Sequence, residues 1–212
     1  MAEFFAARLD GYDEHMRRDI EGAAEFYPYT ASLLPKSAGT RLLDLGCGTG
    51  LELEDYFRQG GEGSVTGIDL SPEMLSALEA KFPDRLNLIQ GSYLELPLGE
   101  GRYDAAVSVE SLHHFSPAEK LALYQKLRNA LTEAGIFVLT DYFAESAELE
   151  KEYFQNLAEL KKAQGLSDGE FYHYDTPLLV EHEMEILRGA GFRDVRSVKQ
   201  WSDSTHTVLA KV

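Results

Sequence analysis

The sequence predicts an α/β fold, a doubly wound sheet with helices on both faces. Three observations carry this reading. Short β-rich runs at 41–45, 65–70, 86–90, 103–109 and 136–140 alternate with helical stretches, as in parallel α/β sheets. Apolar residues fill consecutive positions in these runs, as in Leu42-Leu43 and Ile136-Phe137-Val138-Leu139, which suits strands covered on both faces. Two of the connecting helices open on a Ser-Pro pair, a capping hydroxyl followed by a proline at the first helical position.

Taken in order, the first strand runs into Gly46-Cys47-Gly48-Thr49-Gly50 and then a helix with Leu53, Tyr56 and Phe57 inward. Ser71-Pro72 starts the next helix, with Leu75, Leu78 and Phe82 at helical spacing. Ser116-Pro117-Ala118-Glu119 is a capping box, followed by Tyr124, Leu127 and Leu131 on one face. Near the end, a helix is expected over about 176–190, stopping at Gly191. Runs at 195–201 and 205–212 around Ser202-Asp203-Ser204 then read as an antiparallel hairpin. A chain of 212 residues suits a single domain. Its parts are an N-terminal helical cover (1–38), a core (39–143), a lid or helical insertion (144–175), and the last helix with its hairpin (176–212).

Composition narrows the function. Lys and Arg number 20 against 36 Asp and Glu, a formal charge of −16, which argues against a grip on nucleic-acid phosphates. The hydrophobic share of 44% is enough for a core, and no apolar run is long enough to span a bilayer. The chain reads as cytoplasmic, and a homodimer is allowed by the sequence without being required by it. Cys47 is the single cysteine, so neither a disulfide nor a multi-cysteine zinc site forms within the chain.

The glycine loop carries the chemistry. Glycines let the backbone turn sharply and approach a ligand beside the amides of a helix start. Asp69 ends the second strand at the spacing where doubly wound folds place the acid that accepts ribose hydroxyls. The loop is Gly46-x-Gly48-x-Gly50, one residue tighter than the dinucleotide pattern, and Asp44 lies two residues before it. A pyrophosphate would face that carboxylate, whereas an ammonium and a sulfonium would be attracted to it. Those are the charges of S-adenosylmethionine.

With these residues in place, the chain resembles the class I S-adenosylmethionine-dependent methyltransferases over nearly its whole length. Asp44 to Gly50 is similar to their first motif, Asp69-Leu70-Ser71-Pro72-Glu73-Met74 to their second, and Tyr103 to Val109 to their fourth strand. Leu112-His113-His114-Phe115, Leu131 to Phe137 and Ala190-Gly191-Phe192 match too. The resemblance implies a seven-stranded sheet of order 3-2-1-4-5-7-6 with strand 7 antiparallel. It places Asp44 near the cofactor's ammonium, Gly46, Cys47, Gly48 and Gly50 around the ligand, and Asp69 on the ribose. Leu70 and Met74 would flank the adenine, with Val109 and Tyr12 completing the pocket. Where many relatives show Gly-Asp after the third strand, this chain has Gly91-Ser92 followed by Tyr93, so a serine hydroxyl or a backbone carbonyl must take the adenine amino proton.

Methyl transfer to a small-molecule acceptor is an in-line attack on an activated carbon, and alignment supplies much of its acceleration. His113 and His114 follow the fourth strand, where one reading has them packing and bonding backbone, and another has one of them orienting or deprotonating the acceptor. Tyr142, beyond the fifth strand, lies where acceptors dock. No metal is expected, because adjacent histidines project differently and no acidic partner stands at a set spacing. Tyr12, Arg17, Arg18 and Tyr29 could close over the ligand, although Arg17-Arg18 also reads as a solvated pair. The run 145–159 reads as an amphipathic helix burying Leu149, Tyr153, Phe154 and Leu157. In the lid, Phe171-Tyr172-His173-Tyr174-Asp175 suggests an aromatic acceptor wall, centred on Tyr172 and Tyr174, or simply the lid's own core. The interval from Ala163 to Leu187 contains no Lys or Arg, which favours a neutral or amine-bearing acceptor. The alternatives are an enzyme resembling carboxy-S-adenosylmethionine synthases, whose extra ligand carboxylate needs lid arginine, and a non-catalytic cofactor-binding module.

Overall fold

The computed structural model describes residues 11–167, 170 and 172–212. Residues 1–10 of the expected cover and Phe171 of the lid stretch lie outside the described residues. The strands are β1 (Arg41–Leu45), β2 (Ser64–Asp69), β3 (Leu86–Gln90), β4 (Tyr103–Val109), β5 (Leu131–Tyr142), β6 (Asp194–Gln200) and β7 (Thr205–Lys211). They form one sheet of order β3-β2-β1-β4-β5-β7-β6, with β7 antiparallel to both neighbours and the first five strands parallel. This is the order that the resemblance implies. The helices are α1 (Tyr12–Asp19), α2 (Ala23–Leu33), α3 (Leu51–Arg58), α4 (Pro72–Lys81), α5 (Pro117–Ala130), α6 (Ala147–Ala163) and α7 (Val180–Gly189).

The consecutive apolar pairs divide between the two faces, since side chains alternate along a strand. Leu42 packs in a cluster with Phe26, Leu53, Tyr56 and Leu78, and Leu43 in another with Tyr124, Leu127 and Leu187. Val138 and Phe137 divide in the same way. Both proline-led helices begin as expected: the Ser71 hydroxyl accepts the Met74 amide, and Ser116 and Glu119 close a capping box. On the first face a buried hydroxyl chain ties the N-terminal cover to the sheet. Thr30 Oγ1 meets Thr140 Oγ1 at 2.6 Å, and that oxygen meets Thr207 Oγ1 at 2.8 Å.

The structure departs from the sequence reading in three places. Leu131, expected on the face of α5, is extended with ψ of 149° and opens β5, five residues before the expected start. The helix expected from about 176 begins at Val180, because the residues before it extend along the core. Thr176 donates to the His113 carbonyl, Leu178 accepts from Ala144, and a residue preceding proline resists the helical conformation. On α6, Leu149, Tyr153, Phe154 and Leu157 are half-buried rather than buried, since this helix lies at the rim and has no fully buried residue. Among the described residues no helix is long and apolar enough to cross a membrane.

On the second face, α5 and α7 are joined by a fully buried ion pair. Lys120 Nζ lies 2.5 Å from Glu183 Oε2, and the Tyr124 hydroxyl donates to the other carboxylate oxygen. Removing one member of such a pair strands a charge away from water. Lys120→Met is therefore expected to lower unfolding free energy by about 3–5 kcal/mol. Equilibrium denaturation checks this, and an unchanged midpoint would reject it.

Candidate active site

The parallel strands end at one edge of the sheet, and the candidate residues collect there. Gly46 and Gly48 have φ of 74° and 47°, a left-handed backbone that glycine adopts without strain. A Cβ on Gly46 would lie 2.0 Å from Ser111 Oγ, whereas one on Gly48 would meet nothing within 4 Å. The loop thus packs tightly at Gly46 and leaves open space over Gly48. Asp69 steadies it: Oδ2 accepts the Gly48 amide at 2.9 Å and Oδ1 the Ser71 amide at 2.8 Å. Burial raises the Asp69 pKa against the pull of those two amides.

A cleft above the loop is lined by Tyr12, Gly46, Gly48, Asp69, Leu70, Met74, Tyr93, Val109, Glu110, Ser111 and His114. The other expected cofactor residues support it from outside the lining. Asp44 is fully buried in β1. Cys47 points at β2, where Gly67 leaves room, its Sγ only 2.8 Å from where a Gly67 Cβ would stand. Gly50 packs on Leu78 of α4. Ser92 Oγ accepts the Leu94 amide at 3.2 Å.

Next to this cleft lies a larger cavity of about 890 Å³. Tyr12, Glu110 and His114 line both. His113, Tyr142, His173 and Asp175 form part of its wall, with α1 on one side and Ser202, Ser204 and Thr205 of the hairpin turn on another. His113 Nδ1–H donates to Asp141 Oδ1 at 2.6 Å, and both side chains are buried. Burial pulls that imidazole toward neutrality, but Asp141, Glu110 and Asp175 outweigh it and lift its pKa to about 9. For Glu110, burial and then Asp141 push the carboxyl up to about 8. Burial, helped by His113, lowers the pKa of His114.

Several sequence expectations are refined by this geometry. The His113 ring is buried against those of His114 and Tyr142, and its Nδ1 is held by a carboxylate from β5 rather than by backbone. Tyr142 lines the cavity and shares a hydroxyl contact with Tyr153 of α6. Arg17 reaches Glu54, Asp55 and the Leu51 carbonyl, pinning α1 to α3, while Arg18 is exposed beside Glu14 and Asp19. Neither arginine lines either cavity, and Tyr29 stacks edge-on to Trp201. Tyr172 and Tyr174 do not line the acceptor-sized cavity, whereas His173 and Asp175 do. Alternate residues of an extended segment face opposite ways, so the inward set is the odd-numbered one. Glu110 and the His113–Asp141 contact were missed. Glu110 directly follows β4 and has φ of 50°, rare for a non-glycine residue, and burial with backbone strain of this kind marks functional positions.

Residues 42–135 match the family model described as a methyltransferase domain. An uncharacterized methyltransferase of Geobacillus thermodenitrificans is 30% identical over 79% of this chain and 73% of its own. The chain is a class I S-adenosylmethionine-dependent methyltransferase. A carboxy-S-adenosyl-L-methionine synthase of Campylobacter concisus is 28% identical over 82% of this chain and 77% of its own. Among solved structures, a Mesorhizobium loti S-adenosylmethionine-dependent methyltransferase shares the fold with a TM-score of 0.63 at 21% identity, over 87% of this chain and 96% of that one. Human N-acetylserotonin methyltransferase in complex with SAM gives 0.69 at 15% identity, covering 100% of this chain and 56% of that one.

The methyltransferase binds S-adenosylmethionine, and buried acid in the structure fits that ligand. Asp44 and Glu52 are buried side by side as a hydrogen-bonded pair of carboxyls. Burial, followed by the repulsion of Glu52, raises the Asp44 pKa well above the ordinary carboxylate range. A bound cation would take the place of the proton that such a pair holds. Two outcomes follow for the methyltransferase. Asp69→Ala should weaken binding of the cofactor and its demethylated product by about 2–4 kcal/mol, the scale of lost charged hydrogen bonds. Unchanged affinity by calorimetry would remove the ribose role. Were the cofactor's ammonium to sit beside Asp44, it would lower a pKa that is raised in the free protein, so cofactor binding should release a proton and tighten as pH rises toward that free-state pKa. Calorimetry in buffers of different ionisation enthalpy measures the proton directly, and zero release would reject the assignment.

Proposed function

We propose that this methyltransferase transfers the methyl group in line to a small, neutral or amine-bearing acceptor held in the 890 Å³ cavity. The observation that carries the reading is the shared lining of Tyr12, Glu110 and His114, which sets the cofactor cleft directly beside that cavity. When bound, the cofactor supplies a methyl group already activated on a sulfonium. What remains for the chain is to hold the acceptor's nucleophile against it and to keep water out. His113, its ring fixed by Asp141, presents Nε2 to the acceptor; Tyr142 stands edge-on to that ring at 5.9 Å between centroids. Tyr12 closes the wall from α1.

The charge of the cavity supports the acceptor class. Asp19, Glu21, Glu110 and Asp175 line it, and among the described residues no Lys or Arg does. The charge on His113 is already matched by the carboxylates around it. A carboxylate or phosphate on the acceptor would be buried uncompensated, at a cost of several kcal/mol. The same argument counts against a carboxy-S-adenosylmethionine synthase reading, despite the similar Campylobacter protein, since a ligand carboxylate finds no lid cation here.

An acceptor screen of amines, alcohols, phenols, thiols and carboxylic acids, read by mass as demethylated cofactor, tests the proposal. Turnover of neutral or amine-bearing compounds is expected, and a preference for multiply anionic ones would reject it. A cofactor that gains a carboxyl group would instead establish the synthase reading. With an accepted substrate, His113→Ala should lower kcat by about a hundredfold or more. Its affinity for S-adenosylmethionine should remain that of the wild type.

A further inference from the structure

We propose that His113, His114 and Asp175 form a binding site for one divalent transition-metal ion in the wall of the acceptor cavity. One ligand atom from each residue lies within 4.8 Å of the others. His114 Nδ1 is 2.9 Å from Asp175 Oδ1, and His113 Nε2 is 3.8 Å from the same oxygen. Two atoms that share an ion at bonds of about 2.0–2.2 Å stand roughly 2.8–3.6 Å apart at tetrahedral or octahedral angles. A small movement of Asp175, which is half exposed, brings its carboxylate into that range of His113 Nε2 as well as of His114 Nδ1.

Three further observations point to an ion rather than to a simple hydrogen-bonded cluster. The buried His114 Nδ1 has the Asp175 carboxylate at 2.9 Å as its partner, so two donors of the set already converge. Asp141 holds the Nδ1–H of His113, so Nε2 is the nitrogen that would give up its proton to a bound ion. A carboxylate behind a histidine in this way is the usual outer support of a metal ligand. Glu110, on an overlapping set with His113 and Asp141, keeps a buried Oε1 with no hydrogen-bond partner, a further oxygen beside the site. Asp141 itself is already filled by the His113 ring and by the Leu112 and Tyr142 amides, so the ion belongs on the Asp175 side of His113. Two imidazoles and one carboxylate suit zinc, cobalt, iron(II) or manganese, while calcium and magnesium favour oxygen donors throughout. Resting on the reading of this cavity as the acceptor site, the ion would occupy His113 Nε2 and replace it as the group that meets the acceptor, offering its remaining positions to a hydroxyl, which narrows the acceptor class to neutral hydroxyl compounds.

The full chain, stripped with a chelator, is titrated with cobalt(II) followed by its visible absorption, and with zinc(II) by calorimetry. One equivalent should bind, with the bands of a nitrogen- and oxygen-ligated cobalt, and the melting temperature should rise. His114→Ala and Asp175→Asn should each abolish the bands, Asp141→Asn should weaken binding about 10- to 100-fold, and His182→Ala on the surface should leave the stoichiometry unchanged. Circular dichroism of the metal-free variants verifies that each is folded, and binding of S-adenosylmethionine serves as an independent reading of the intact cleft. No stoichiometric binding by a wild type that still binds S-adenosylmethionine, or undiminished binding in both His114→Ala and Asp175→Asn, overturns the site and leaves the methyl-transfer proposal standing. Stoichiometric binding lost in those variants sustains the site even where the acceptor screen finds no hydroxyl substrate, and that result would count against the acceptor reading alone.

Discussion

Asp141 has no access to water at the end of β5, and three donors converge on it: the Leu112 amide at 2.8 Å, the Tyr142 amide at 2.9 Å and the His113 ring at 2.6 Å. Burial alone would raise its pKa, but the charge and hydrogen bond of His113, with Lys120 behind, hold it below the ordinary value. A carboxylate kept ionised inside a protein orients everything that neutralises it. Here that includes the chain leaving β4, the start of the segment leaving β5, and the direction of His113 Nε2. The constraint extends further, because the His113 carbonyl accepts the Thr176 amide at 2.8 Å. That bond anchors the lid segment and sets Asp175 beside both histidines. One buried acid therefore positions residues from three separate stretches of sequence.

The distribution of cations follows the opposite rule. Lys81 meets Asp13 and Glu54, and Arg17 meets Glu54 and Asp55, so the positive side chains nearest the cofactor cleft hold α1 in place rather than face the ligands. Both cavities are left to carboxylates, imidazoles and hydroxyls. In a chain with a formal charge of −16, this arrangement draws a sulfonium and an ammonium toward the loop and keeps anions away. The raised pKa values of Asp44 and Glu110 are the local response to that field, since each carboxyl resists ionising beside other acids.

What the sequence revealed depended on the range of the rule involved. Leu42-Leu43 announced a strand buried on both faces, Ser71-Pro72 and Ser116 to Glu119 announced helix starts, and Asp69 announced itself by spacing from the glycines. Each of these is settled within a few residues or a single βαβ unit. His113 meets Asp141 across neighbouring strands and Asp175 across the lid, and no local pattern reports such a meeting. Glu110 adopts a positive φ that propensity would assign to glycine or asparagine, so only the assembled structure identifies it. For Tyr172 to Asp175, the period of an extended segment was legible but its parity was not. Long-range bonds of Thr176 decided which residues turned inward, and those same bonds delayed the helix to Val180.

The two sides of the junction between the cavities are held with different strength, and the chemistry requires that asymmetry. Its floor consists of buried, short hydrogen bonds among Asp141, His113 and the ends of β4 and β5, in a region where water cannot compete for the donors. Its cover is α1, whose leading residue Tyr12 lines both cavities and whose attachments include part-exposed ion pairs beside the packing of Met16, with Arg17 and Lys81 keeping 28% and 25% of their side-chain surface in water. Pairs with this exposure contribute about 1 kcal/mol or less each and weaken with salt. Moving the cover therefore costs far less than disturbing the floor. For the in-line transfer proposed above, which tolerates little error in the angle between nucleophile and methyl carbon, the orienting groups belong on the rigid strands. Of the two sides, the one fixed by screened charge is the one that added salt loosens first.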